Sequence, residues 1–220
     1  MKNTQNRRWI ITGMLFLLFV LFTLTVSVVD VQPVGPEQSE IGLATLNTFV
    51  FENLGVHMGW YQATEVLGMA VLLVPVCFAA LGLYQLIQRK SLRKMDAPLL
   101  ALGAFYVAVA VCYVLFEKVI INYRPVLLDE GLEASYPSSH TMLSICIMST
   151  AMIFLRSVPA IRPSWRTVFN ALSVLIIVVI VSGRLLAGVH WLTDIIGGVL
   201  LSAALVMLYA SAVAHIGSRK

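Results

Sequence analysis

Residues 167–213 read TVFNALSVLIIVVIVSGRLLAGVHWLTDIIGGVLLSAALVMLYASAV. Two apolar runs, 167–187 and 191–213, flank a short break that holds His190, with Arg184 and Asp194 in the run ends beside it. Each run has the roughly 20 apolar residues that cross about 30 Å of hydrocarbon at about 1.5 Å per residue. The pattern predicts two membrane helices joined by a tight, charged turn.

Working outward, four more runs of the same kind occur at 9–29, 62–87, 97–120 and 139–156. The 220-residue chain is 59% hydrophobic and 12% charged, with a mean hydropathy of +0.89. A soluble domain carries about 25% charged residues, so a water-facing surface is missing. The runs are continuous rather than alternating with period two, which excludes a transmembrane barrel. The expected fold is all-α, a single membrane domain over 1–220 built as a bundle of six transmembrane helices. The first run follows a basic head but lacks an Ala-x-Ala-like exit, so it is read as an uncleaved span. Cys77, Cys112 and Cys146 lie inside apolar runs without ligand spacing and are read as small core residues, with no disulfide or metal site.

Basic residues set the expected orientation. Lys2, Arg7 and Arg8 precede the first span; Arg89, Lys90, Arg93 and Lys94 join the second and third. Arg156, Arg162 and Arg166 join the fourth and fifth, and Arg219 and Lys220 end the chain. With six spans all four clusters share one side, which the positive-inside rule makes cytoplasmic, both termini included. The remaining basic residues, Lys118, Arg124 and Arg184, map to the outer side, where phosphate binding is one reason to keep them. The outer connection 30–61 contains a rough apolar stripe (Ile41, Ala44, Leu46, Phe49, Val50, Leu54). It is read as a short helix in the interface, either guiding lipid or simply covering the bundle, with Trp60 and Tyr61 at headgroup level.

Three motifs gather at the outer ends: KVIINYRP at 118–125, YPSSH at 136–140 and SGRLLAGVHWLTD at 182–194. Arg124 and Arg184 are planar, permanently charged donors suited to bidentate contact with phosphate oxygens. Pro137, Ser138, Ser139 and His140 read as a helix start, whose free N–H groups and dipole favour an anion. His190 and Asp194 stand four apart, on one face if the last helix has begun there. The carboxylate can accept a proton from one imidazole nitrogen and leave the other as nucleophile, while His140 protonates the departing oxygen. His57 and His215 lack such company and are read as surface residues. The acidic loop 129–133 is read as solvated.

These motifs resemble the signatures of the type 2 phosphatidic acid phosphatase superfamily, which also includes vanadium haloperoxidases. The family pattern is K-x6-R-P, then P-S-x-H, then S-R-x5-H-x3-D; PSSH and the Arg184–His190–Asp194 spacings match it. The resemblance implies His190 as nucleophile forming a phosphohistidine, Asp194 as its orienting partner and His140 as acid. It implies phosphate contacts from Arg124, Arg184 and Ser139, with Lys118 and Ser138 as further candidates. Two departures stand out. Lys118 is six residues before Arg124, and Glu117 occupies the family's lysine position, about 100° away on a helix. Gly183 also displaces Ser182 by one, and Ser182 is given no role.

The expected activity is metal-independent and cofactor-free hydrolysis of a lipid phosphate or diphosphate at the outward face of a bacterial inner or plasma membrane. Family analogy places undecaprenyl diphosphate first, then phosphatidic acid or phosphatidylglycerol phosphate. A phosphotransferase to a lipid acceptor, or a lipid-phosphate binding or transport protein, are the rival readings. The expected partners are the lipid substrate and the surrounding membrane lipids, with no nucleic acid.

Overall fold

The structure is a computed structural model and describes residues 2–128, 131–158 and 161–218. Asp129, Glu130, Arg219 and Lys220, which enter the charge and loop readings above, lie outside the described residues.

Seven α-helices follow one another: α1 (Lys2–Val28), α2 (Ala44–Leu54), α3 (Met58–Arg89), α4 (Ala97–Lys118), α5 (Ser139–Arg156), α6 (Pro163–Leu186) and α7 (Leu192–Gly217). All except α2 are long and apolar enough to cross a membrane. Several run beyond their apolar stretches, since α1 begins at Lys2, α3 at Met58 and α6 at Pro163. Hydropathy marks the hydrocarbon boundary, whereas a helix continues into the headgroup region for as long as its sequence permits.

Helices α5 and α7 form the centre, each with half of its spanning residues buried, against 6% for α3. α5 packs on α3, α4, α6 and α7, and α1 lies along α7. The core joins Phe105 and Tyr209, Leu102 and Leu205, with Met142, Cys146 and Phe154 from α5. The outside is apolar as well: Val66, Leu73, Val107 and Val178 are all more than half exposed. Such a surface suits hydrocarbon and not water. Of the three cysteines only Cys146 is buried, while Cys77 is exposed on α3. An apolar run supplies lipid-facing positions as readily as core ones, so sequence alone did not separate them.

Polar contacts fix the direction of α1. Gln5 donates to the Ser211 carbonyl at 3.1 Å and Thr12 shares a 3.2 Å hydrogen bond with Ser211, far along α7. At the other end Thr23 meets the Tyr136 hydroxyl at 2.8 Å. α1 therefore runs antiparallel to α7. Helix α2 covers the start of α7, but through a polar residue: Asn47 is fully buried and bonds Gly42 and Thr193, and Phe51 packs on Trp191 at 5.5 Å between centroids. Leu46 and Phe49 of the apolar stripe are exposed instead.

Candidate active site

The C-terminal ends of α4 and α6 and the N-terminal ends of α5 and α7 meet at one end of the bundle, joined there by the first turns of α3. The α4–α5 connection folds back on itself. Ser135 N–H donates to the Asn122 carbonyl at 2.9 Å and Arg124 N–H to the Glu133 carbonyl at 3.0 Å. That register sets Arg124 opposite Glu133, and Arg124 Nε donates to Glu133 Oε2 at 2.6 Å. Glu133 is thus an arginine partner rather than a solvated loop residue. The connection is also held to the α6–α7 bend, where Trp191 Nε1 donates to the Tyr123 carbonyl at 2.7 Å.

The bend 187–191 passes through Gly188 at φ +69° and carries His190 before α7 begins. The His190–Asp194 relation therefore comes from the helix cap, not from a shared helical face. Asp194 Oδ2 accepts the Trp191 N–H at 2.9 Å, closing the first turn of α7, and stands 3.5 Å from His190 Nδ1. Its other oxygen faces Asn122 Nδ2 at 3.3 Å. Asn122 and Asn47 both reach Thr193 Oγ1, at 3.3 Å and 2.9 Å, so Asp194 is seated on a buried amide network. Each hydrogen bond in it adds about 1 kcal/mol net, and orphaning a member costs about 1–3 kcal/mol. On the opposite edge of the imidazole, His190 Nε2 lies 3.5 Å from Arg124 Nη1.

Helix α5 begins at Ser139, with Ser138 at its cap and Pro137 before it. The Ser138 N–H donates to the Asp194 carbonyl at 3.0 Å, which locks this start onto α7. The Ser138 hydroxyl makes no cap bond and has no partner among the described residues. The next N–H groups have no acceptor inside the helix, a geometry that favours an anion.

Arg184, in the last turn of α6, is fully buried. Its Nη2 donates to Glu65 Oε1 at 2.6 Å and contacts both ring nitrogens of His140, Nε2 at 2.6 Å. Its Nε and Nη1 are buried and without a hydrogen-bond partner among the described residues. The guanidinium lies 5.1 Å from the Tyr61 ring centroid, a cation–π contact. Tyr61 and Glu65 both come from α3, which approaches closely because two glycines allow it. A Cβ on Gly183 would meet Thr64 Cγ2 at 2.6 Å, and one on Gly68 would meet His140 Cδ2 at 2.7 Å. The residue that displaces Ser182 in the third motif is thus the one that admits α3. Ser182 itself is exposed and bonds its own helix at Val178.

Burial, then the positive charges of Arg124 and Arg184, hold the His190 imidazole well below its usual pKa of 6.5. His190 is therefore neutral at neutral pH, the form with a free lone pair. Beside it is a cleft of 20 Å³ lined by Arg124, Ser139, His190 and Glu117, among others. This is space for about one water molecule, so a larger anion requires side chains to move. A second cavity of 540 Å³ opens from His140, Ser139 and Glu65 between α3, α4 and α5, walled by Met69, Leu72, Val109 and Leu143. A third of 600 Å³ shares Pro75 and Tyr106 with it as lining residues and reaches Gly82 and Met95.

His190, Asp194, His140, Arg124, Arg184, Ser138 and Ser139 all come together. Lys118 does not join them: it is exposed at the end of α4, while Glu117, one residue earlier, lines the small cleft. The 100° rotation of a six-residue spacing is the physical reason. Sequence reasoning missed Glu65, Tyr61, Asn47 and Asn122. A glutamate inside an apolar run was the one signal that pointed to any of them.

The PAP2 superfamily model matches residues 100–217. Among solved structures, the chain is similar to one described as the first transmembrane PAP2-type phosphatidylglycerolphosphate phosphatase, from Bacillus subtilis. The TM-score is 0.59 at 19% identity, covering 90% of this chain and 94% of that one. A search of the curated proteins finds no significant match.

Proposed function

The chain belongs to the PAP2 superfamily, and from that premise we propose that it is a membrane phosphatase that hydrolyses a lipid phosphate or diphosphate through a phosphohistidine at His190. The observation that supports this most is the buried Arg184 guanidinium, whose Nε and Nη1 lack partners beside the His190 and His140 imidazoles. Orphaned buried donors cost about 1–3 kcal/mol each, and more when charged, which bound phosphate oxygens would recover.

In the proposed reaction His190 Nε2 attacks phosphorus, and an N–P bond forms as the P–O bond to the lipid breaks. Asp194 accepts a hydrogen bond from Nδ1–H, which keeps Nε2 free, and the 3.5 Å separation shortens as charge develops on the ring. His140 gives its proton to the departing oxygen. Water then attacks the phosphohistidine, His140 takes the water's proton, and inorganic phosphate leaves. Arg124, Arg184, Ser139 and the first N–H groups of α5 hold the equatorial oxygens, whose charge is greatest in the transition state. Lys118 is given no part.

The apolar cavities support a lipid substrate. Together they run from Glu65 to Gly82 along α3, roughly 26 Å at 1.5 Å per residue, room for a long hydrocarbon tail beside the reacting phosphate. The basic ends of the helices lie away from the site, which by the positive-inside rule faces it outward. Undecaprenyl diphosphate remains the first choice of substrate, with phosphatidic acid and phosphatidylglycerol phosphate next. The test is phosphate release from these lipids by purified protein in EDTA. Release by the wild type supports the reading and the fastest lipid names the substrate; no release from any of them overturns it.

The depressed His190 pKa gives a further expectation. A nucleophile that stays neutral as pH falls keeps the acid limb of kcat/KM below pH 6.5, once ionisation of the substrate phosphate is subtracted. A limb at or above pH 6.5 would contradict the assignment.

A further inference from the structure

His190 has a carboxylate partner that the motifs contain. His140 has one that they do not. Glu65 Oε2 lies 3.4 Å from His140 Nε2, while Glu65 Oε1 accepts from Arg184 Nη2 at 2.6 Å. Arg184 and Arg124 are the positive charges that reach His140, and Glu65 is the carboxylate that stands against it among the described residues. Gly68, one turn further along α3, presses on the same edge of the ring, since a Cβ there would lie 3.1 Å from Nε2. The Nε2 edge thus rests against α3, while Arg184 Nη2 reaches both ring nitrogens.

We propose that Glu65 is a positioning residue for the leaving-group step, forming with His140 a second histidine–carboxylate pair beside His190–Asp194. The inference rests on the reading of His140 as general acid. With two arginines close by, an imidazole gives up its proton readily unless an anion offsets them. Glu65 supplies that anion from the α3 side and fixes which nitrogen donates: Nε2–H is held by Glu65, and Nδ1–H is presented to the departing oxygen. In the free site Arg184 Nη2 lies between Glu65 and His140. Phosphate oxygens draw that guanidinium towards themselves and leave the carboxylate to the imidazolium. Glu65 also borders the apolar cavity, so the groups that govern leaving-group protonation stand where the lipid tail meets its phosphate.

The role separates from a structural one by leaving group. An alkoxide leaves poorly without a proton, whereas p-nitrophenolate leaves without one. The experiment measures kcat for wild type, Glu65→Gln and Glu65→Asp on phosphatidic acid and on p-nitrophenyl phosphate, with inhibition by inorganic phosphate as a check on the site. Glu65→Gln is expected to lose about 10²-fold on phosphatidic acid and less than about 5-fold on p-nitrophenyl phosphate. Glu65→Asp should recover part of the loss, and phosphate inhibition should persist. Equal loss on both substrates, no loss on either, or vanished phosphate inhibition would each overturn the proposal. A wild type that releases no phosphate from either of these or from undecaprenyl diphosphate and phosphatidylglycerol phosphate would instead remove the hydrolase reading on which the proposal rests.

Discussion

Replacement of His190 by alanine is expected to lower phosphate release by at least about 10⁴-fold, because no other group is placed to take the nucleophile's part. Its Nε2 faces Arg124 and its Nδ1 faces Asp194, so the ring lies between the proposed phosphate donor and the carboxylate proposed to orient it. Phosphate binding should survive the change. Arg124 is held by Glu133 at 2.6 Å and Arg184 by Glu65 at 2.6 Å, neither through His190. The expected pattern is lost turnover with inhibition by inorganic phosphate retained. Turnover within about tenfold of wild type would require another nucleophile, since truncating the attacking group cannot be so mild.

Asp194→Asn should cost about 10³–10⁴-fold in kcat while leaving the chain folded. The present carboxylate is an acceptor on both oxygens, from the Trp191 N–H at 2.9 Å and from Asn122 Nδ2 at 3.3 Å. An amide keeps only one acceptor. If its oxygen retains the α7 cap, its NH₂ opposes the Asn122 NH₂; if it turns to satisfy Asn122, the cap is lost. With the oxygen on the cap, His190 Nδ1–H meets only a neutral acceptor. With the NH₂ turned there, the ring takes the tautomer with Nε2 protonated. In either orientation the anion that offsets the imidazolium is gone. Stability should fall by about 1–3 kcal/mol, the cost of one unsatisfied buried partner. A kcat loss with an undisturbed melting profile of the purified protein would place Asp194's effect wholly in catalysis. Unchanged kcat would contradict its orienting role.

The six apolar helices were legible because a bilayer imposes one length and one polarity on every span. The end of the bundle that carries the site was legible from Arg124 and Arg184 and from motifs that keep their spacing in the chain, whereas Lys118, read with them, stands apart. What stayed hidden came from packing across the sequence. Glu65 lies 119 residues from Arg184 and reaches it only because Gly68 and Gly183 let α3 come close. Asn47 was counted with neither face of the outer helix, yet its side chain turns inward to bond Thr193, 146 residues away. Asn122 lay inside a quoted motif without a role, and its partners became apparent only once the α4–α5 connection folded against α7. Cys77 and Cys146 occupy similar apolar runs, one exposed and one buried, because hydropathy does not distinguish lipid from core.

The most direct test of the account is to trap the covalent intermediate. Purified enzyme mixed with phosphate-labelled lipid in excess is quenched in alkali within the first turnover, and the labelled peptide is mapped. The account predicts an acid-labile, base-stable label on His190, absent from His190→Ala. Phosphate released at the full rate with no labelled histidine at any time would mean direct attack by water, and the phosphohistidine mechanism would fall.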